Sequence, residues 1–349
     1  MEFFILAINP GSTSTEIGYF DDHRCLDRLH IDHLDHDIPL RQSDQEEFRY
    51  SLISSFISKI PNLNTVSGRG GPLRPLPSGV YRINDRMIYD YQNEIYSSHA
   101  SNLGALLANR VARENKIPAF ISDPVTTDEF IPEARISGVP GIERKSRSHA
   151  LNIKYCVRKT STSIGIPEED SRFVVVHLGS GFSIAAVSGG RIIDVNDALL
   201  GMGPFSVERA GALPLSGLLD MVYQSGMTEK EIRHLLTCES GLKGYLNTND
   251  FRQVIQMAST NKDAQTVLDS MIHQIIKESG SMFAILKGNV HGLILTGGLA
   301  KSDEMCSKLK ASITFIPTFY IYPGSFELEA LAEGAYRALS GLCLIMEYK

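Results

Sequence analysis

Two stretches of the chain share one layout. FILAINPGSTSTEIGYF (4–20) and VVVHLGSGFSIAAV (174–187) each run an apolar segment into a Gly/Ser loop and out into a second apolar segment. Short apolar runs broken by Gly, Pro or Ser read as strands joined by a turn. Glycine lets a backbone approach a ligand closely, and successive N–H groups with nearby hydroxyls offer neutral donors to phosphate oxygens. A single copy reads as a polar hairpin, since hairpins use small polar residues anyway. The second copy, Gly179-Ser180-Gly181, points instead to a phosphate-holding hairpin built twice, once in each half. Neither copy is a Walker A loop or a dinucleotide fingerprint, because GxxxxGK[ST] and GxGxxG with its downstream acid are both absent.

The rest of the pattern also runs twice. Phe3–Ile8, Thr15–Phe20 and roughly Arg24–His33 read as a three-strand meander. A helix follows, opened by a Ser43/Glu46 capping box, carrying Phe48, Leu52, Phe56 and Ile60 at near-helical spacing and ended by Pro61. A strand through Val66 leads into GRGGPLRPLPSG (68–79), too rich in Gly and Pro for regular structure. Then come a helix over Ser101–Asn115 and a strand Ala119–Ser122 that delivers Asp123, giving βββαβαβ. From Phe173 the order restarts with strands 173–178, 182–187 and 191–195, a long helix near 264–286 and a strand 291–295 running into Thr296-Gly297-Gly298-Leu299-Ala300. A last strand near 314–322 precedes a helix from Glu327 to about Leu344, expected to lie between or across the halves. At 349 residues the chain exceeds the roughly 250–300 that one core serves, so two domains are expected. Their expected bounds are 1–155 with 325–349, and 156–324.

Composition narrows the class. With 43% hydrophobic and 21% charged residues the chain is an ordinary globular one. A net charge of −6 argues against nucleic-acid binding, which needs a basic face. The apolar run at 3–8 is too short for a signal peptide, and no stretch reaches the roughly 18–20 residues that span a bilayer. Five scattered cysteines without a CxxC pair fit reduced thiols in the cytoplasm.

The segments INPGSTST (8–15), GRGG (68–71), HASNLG (99–104), SDP (122–124), PGIERKSRSHALN (140–152), VVHLGSGFSIAAV (175–187), DALLGMGPFSVERAGALP (197–214), LTGGLA (295–300) and PGSFELEALAEGA (323–335) occur in this order across almost the whole chain. With them the chain resembles the acetate and butyrate kinase family, its butyrate branch most closely. The resemblance implies an α/β fold of two duplicated ribonuclease H-like βββαβαβα domains, as in actin, sugar kinases and Hsp70, around an ATP cleft. It implies phosphorylation of a short-chain carboxylate, butanoate first, with ATP/ADP and Mg²⁺ as cofactors. Acetate, propionate and isobutyrate are the alternative substrates, and a non-catalytic nucleotide-binding protein is the alternative of a different class. A homodimer or higher homo-oligomer is implied as well, with no nucleic-acid or membrane partner.

Residue by residue, the resemblance puts the phosphates at Asn9, Gly11, Ser12, Ser14, Gly179, Ser180 and Gly181, and adenosine at Gly297, Gly298 and Leu299. Arg209 matches the family arginine serving substrate and the migrating phosphoryl group. Asp123 matches an essential aspartate, assigned to Mg²⁺ or to orienting arginine, and His99 an active-site histidine. Arg69 is the candidate for the substrate carboxylate, and Lys145 stands where relatives carry a second phosphate-contacting histidine. Glu327 is the other Mg²⁺ candidate. The chemistry itself limits the roles. A carboxylic acid of pKa about 4–5 is already ionised at pH 7, so no general base is needed and the difficulty is anion repulsion, which Arg, Mg²⁺ and backbone donors offset.

Two positions depart from the family pattern: Glu16 stands where relatives have lysine, and Ser325-Phe326 where acidic residues are common. Finally, His23, His30, His33 and His36 among aspartates in 21–37 invite a metal-site reading, but strand alternation puts His30 and His33 on opposite faces and favours a solvated strand edge.

Overall fold

In the computed structural model, which describes residues 2–33, 39 and 42–349, the chain divides into two compact units. Unit 1 comprises residues 1–128, 150–152 and 326–349, and unit 2 residues 129–149 and 153–325.

The first elements of unit 1 are strands β1 (Phe4–Pro10), β2 (Ser14–Asp21) and β3 (Arg24–Asp32), helix α1 (Gln42–Ile57), strands β4 (Thr65–Gly68) and β5 (Val80–Arg82), helices α2 (Asp85–Gln92) and α3 (Asn102–Asn115), and strand β6 (Ala119–Ser122). β1 is buried on both faces, which its unbroken apolar run Ile5–Ile8 requires. α1 already includes Gln42, so Ser43 lies inside the helix and not at its N-cap; its side chain is outside the described residues, as is His36.

Unit 2 holds α4 (Pro132–Arg135), most of α5 (Ala150–Ser163), β7 (Arg172–Leu178), β8 (Phe182–Ser188), β9 (Arg191–Val195), α6 (Leu215–Gln224), α7 (Glu229–Cys238), α8 (Gly241–Leu246), α9 (Phe251–Thr260), α10 (Lys262–Ile285), β10 (Gly292–Gly297), α11 (Asp303–Ser312) and β11 (Phe319–Pro323). α12 (Glu327–Leu339) and β12 (Ile345–Glu347) then return to unit 1.

The unit 1 sheet runs β12-β5-β6-β4-β1-β2-β3 and the unit 2 sheet β11-β10-β7-β8-β9. Without β12 and β5, both orders are the same: an antiparallel meander whose first strand continues into two parallel strands. This is the duplicated α/β architecture expected from the repeat. The expected βββαβαβ order lacks β5 and α2, however, and the strand at 319–323 is not the last one. β5 and β12 are three residues each, too short to show a period, and exist because β6 and each other supply their ladder partners. The final helix stops at Leu339, and α12 packs on β1, β4 and β6 within unit 1. Each unit has its own apolar core: Leu6, Ile8, Val66 and Ile121 with α3 in unit 1, and Val174, Val176, Ile184 and Leu295 with α10 in unit 2. Among the described residues, no helix is long and apolar enough to cross a membrane.

Candidate functional site

In both units the glycine loop follows the C-terminal end of a central sheet strand, β1 or β7. In unit 2, β7 ends at Leu178 and Gly179-Ser180-Gly181 turns the chain into β8. The Ser206 hydroxyl donates to Ser180 O at 2.5 Å and accepts from Arg209 N at 3.3 Å, tying the loop to the segment that carries Arg209. The Arg209 guanidinium donates to Ala198 O and lies so close to Gly181 that a Cβ there would overlap Nη1. A Cβ at 181 would have to displace this guanidinium and would crowd Ala198 O, so glycine is favoured here on steric grounds. Burial pushes the Arg209 pKa down, yet an arginine starts high enough to stay charged at neutral pH.

Around Arg209 opens a pocket of about 450 Å³, lined mostly by apolar side chains, among them Leu199, Leu200, Met202, Leu213 and Leu218. Arg209 is the one cation lining it among the described residues, and the Asp197 carboxylate that also lines it is engaged by Arg147, so the pocket suits a small anion with a hydrocarbon tail. Lys145 is exposed and lines a neighbouring pocket of about 330 Å³ that shares Asp197, Leu200, Gly201 and Met202 with the first. Its neighbours Arg144 and Arg147 are occupied by Asp194 and Asp197.

The Gly297 turn is part of the same cluster. β10 lies parallel to β7, and Gly297, at φ +95°, approaches the Leu178 backbone too closely for any Cβ. Gly297 and Gly324 exchange two backbone hydrogen bonds of 2.9 Å, which fixes the turn. A Cβ at Gly298 would meet nothing within 4 Å, so that side of the turn is open, while Leu299 is buried beneath it. Beside the loop, His149 stacks on His177 with ring centroids 4.1 Å apart, and His149 Nδ1 is 2.8 Å from Ser183 Oγ. The reading from sequence singled out Lys145 and passed over this imidazole pair. The available signal was that both histidines fall inside quoted segments, SRSHALN and VVHLGSG.

In unit 1, a chain of polar contacts surrounds the first loop. Arg69 Nη1 donates to Asn9 Oδ1 at 3.2 Å and lies 3.4 Å from Glu327 Oε1; Asn9 Nδ2 donates to Glu16 Oε2 at 3.3 Å. Glu16 Oε1 in turn faces His30 Nδ1 at 3.0 Å, directly across the β2–β3 ladder. Asn9, Arg69 and Glu327 are therefore brought together, and the acid at position 16 is engaged by the amide and the imidazole. Arg69 is not a solvent-exposed loop residue: its side chain is 15% exposed, and its buried Nε has no partner among the described residues. An orphaned buried donor of this kind marks a place where an anion or water belongs. Gly68 and Gly71 allow this loop to press against Gly104 and Asn102 of α3, where any Cβ would collide.

Asp123 follows β6 in a left-handed conformation, φ +38°, and accepts from Ser78 Oγ at 2.6 Å and Gly79 N at 2.9 Å. The His99 ring precedes α3 and its Nδ1 accepts from Ser101 N at 3.2 Å, which places the proton of the neutral ring on Nε2. Ser12 is exposed and Ser14 half-buried at the loop tip. His33 is buried against Thr15 Oγ1 at 2.8 Å, whereas exposed His30 meets Glu16 and Asp32, so the two imidazoles serve different partners.

Comparison with known proteins decides the family. The sequence model of the Acetokinase family matches residues 139–316. The "Probable butyrate kinase" of Enterococcus faecalis is 41% identical over 342 residues, covering 97% of this chain and 95% of that protein. The chain belongs to the acetokinase family. "Butyrate kinase 1" of Clostridium acetobutylicum is 39% identical over 352 residues, 99% of each chain. Acetokinase-family architecture is also what the solved structures show. The acetate kinase of Porphyromonas gingivalis superposes with a TM-score of 0.78 over 98% of this chain and 100% of its own, at 17% identity. A propionate kinase from Francisella tularensis gives 0.77 over 95% and 98%, also at 17% identity.

Proposed function

We propose that this acetokinase-family chain is a butyrate kinase, transferring the γ-phosphoryl group of ATP to butanoate in a reversible reaction. The observation that carries the substrate choice is the lone Arg209 guanidinium in an apolar pocket of about 450 Å³. A carboxylate would meet the guanidinium and a propyl tail the leucines around it. In the transfer, a carboxylate oxygen bonds to the γ-phosphorus while the bond from phosphorus to the β,γ-bridging oxygen breaks, and ADP leaves. No proton moves, so Asp123 is assigned to Mg²⁺ or to orienting arginine and His99 to donating to a phosphoryl oxygen, neither to removing a proton.

On this reading Gly179, Ser180, Gly181, Asn9, Gly11, Ser12 and Ser14 take phosphate oxygens, and the open side of Gly298 with Gly297 and Leu299 takes adenosine. Arg69 and Lys145 contribute positive charge toward the anions. Glu327 and Asp123 are the carboxylates suited to Mg²⁺, which binds through one or two carboxylates plus substrate phosphates and supplies neutralisation of the triphosphate. Cytoplasmic location is supported by the absence of disulfides among the five cysteines, and a homo-oligomer by the family resemblance.

The test incubates the protein with Mg-ATP and acetate, propionate, butyrate, isobutyrate or glucose, and traps acyl phosphate with hydroxylamine. Hydroxamate is expected to form fastest with butyrate. A maximum with acetate would reassign the substrate, and ATP binding with no hydroxamate from any acid would leave a non-catalytic nucleotide-binding protein.

A further inference from the structure

Arg49, in the middle of α1, heads the largest fully buried side chains among the described residues, and no carboxylate pairs with it among them. A buried charge without a counterion is costly unless hydrogen bonds replace water around it. Here the partners of both Nη atoms come from the first glycine loop, while the buried Nε has no hydrogen-bond partner among the described residues. Arg49 Nη1 donates to Ser14 O and to Thr15 Oγ1, each at 2.7 Å, and Nη2 to Gly11 O at 2.9 Å and Ser12 O at 3.5 Å. The one remaining carbonyl of the loop, Thr13 O, accepts from His33 N at 2.8 Å. Every carbonyl from Gly11 to Ser14 is thus held by a donor from the protein side. Carbonyl oxygens repel phosphate, so a loop that binds it must keep them away from the anion and leave its N–H groups and hydroxyls to meet it.

We infer that Arg49 is the positioning residue of the first loop: it draws the carbonyls of Gly11, Ser12 and Ser14 inward and places a fixed positive charge one hydrogen bond behind the backbone that receives the triphosphate. The assignment rests on the proposed ATP-dependent reaction and adds to it a residue that never touches substrate. Burial pushes the Arg49 pKa down to about 10, which still leaves the guanidinium charged at neutral pH. Lysine would keep the charge but lose the planar fork that reaches four oxygens at once.

Arg49→Lys separates positioning from a merely structural role. Thermal unfolding reports folding, nucleotide titration gives Kd for ATP, and kinetics give KM for ATP and for butanoate separately. The expected result is a folded protein whose KM and Kd for ATP rise by roughly ten- to a hundredfold while KM for butanoate stays within about twofold. A folded variant with wild-type ATP affinity, or one whose only change is a lower Tm, overturns the inference. If Arg49→Lys fails to fold, Thr15→Val, which removes one of the four acceptors, bears the same test: a selective rise in KM for ATP supports the assignment and unchanged kinetics overturn it. Failure of the wild-type protein to phosphorylate any carboxylate would instead overturn the proposed reaction itself.

Discussion

Gly181 shows how a single residue can be dictated by its neighbour. Its loop could be read from sequence as phosphate-holding, but the reason for glycine at this position is the Arg209 guanidinium, whose Nη1 occupies the volume of the absent Cβ. Gly181→Ala is therefore expected to displace Arg209 and to lower kcat by on the order of a hundredfold, with ATP affinity much less affected, since misplacing a charge-stabilising group by about 1 Å costs that much. Steady-state kinetics with butanoate and ATP varied in turn check it; a variant with normal kcat would show that the guanidinium finds its place another way. Arg209→Ala gives the upper limit of the effect. Glu16 is the converse case. From sequence it is an acid where relatives place lysine, and only the fold shows that its carboxylate is engaged by Asn9 Nδ2 and His30.

At the scale of elements, the β2–β3 ladder converts that departure into a pH dependence. Glu16 and His30 are directly opposite in register, and Asp32 lies two residues along on the same face. Hydrogen bonds to Asp32 first and to Glu16 second raise the His30 pKa above its ordinary value. Because the folded-state pKa is the higher one, the stabilisation is complete below the unfolded value of about 6.5 and is lost as pH rises through the folded value. His30 and Asp32 are largely solvated, so the effect is expected to stay below about 1 kcal/mol. Thermal unfolding of His30→Gln against wild type should show the larger Tm gap on the acid side and a closing gap on the alkaline side; a gap independent of pH would contradict the pair. The elements themselves were largely legible, because β1, β2, β7 and β8 are buried enough to show as apolar runs and α3 carries a clear helical stripe. β5, α2 and β12 were not, since a three-residue strand is defined by its partners and α2 is an eight-residue helix in the stretch between the 68–79 loop and the 101–115 helix, to which the sequence reading gave no element.

For the whole molecule, the organising fact is one sheet order used twice, with unit 1 extended by β5 and β12. That extension depends on the far end of the chain. Tyr348 is buried, donates to Asp90 Oδ2 at 2.7 Å and stacks under the Arg74 guanidinium, 5.0 Å from its ring centroid. Tyr348→Ala is expected to cost about 3–5 kcal/mol, as for other large aromatic truncations. The loss should be local: hydrogen exchange is expected to accelerate in β5 and β6 while β7, β8 and β10 keep their protection, and uniform acceleration would argue against separate cores. What the sequence determined by itself was the repeat and the family, because strand periodicity, glycine punctuation and residue order are local properties written along the chain. The tertiary structure alone decided which side chains meet. Arg49 clasping the first loop from α1, Arg209 filling the space at Gly181 and the His149–His177 stack all join residues 28 or more positions apart in sequence, and no local pattern encodes a contact that exists only after the sheets and helices have packed.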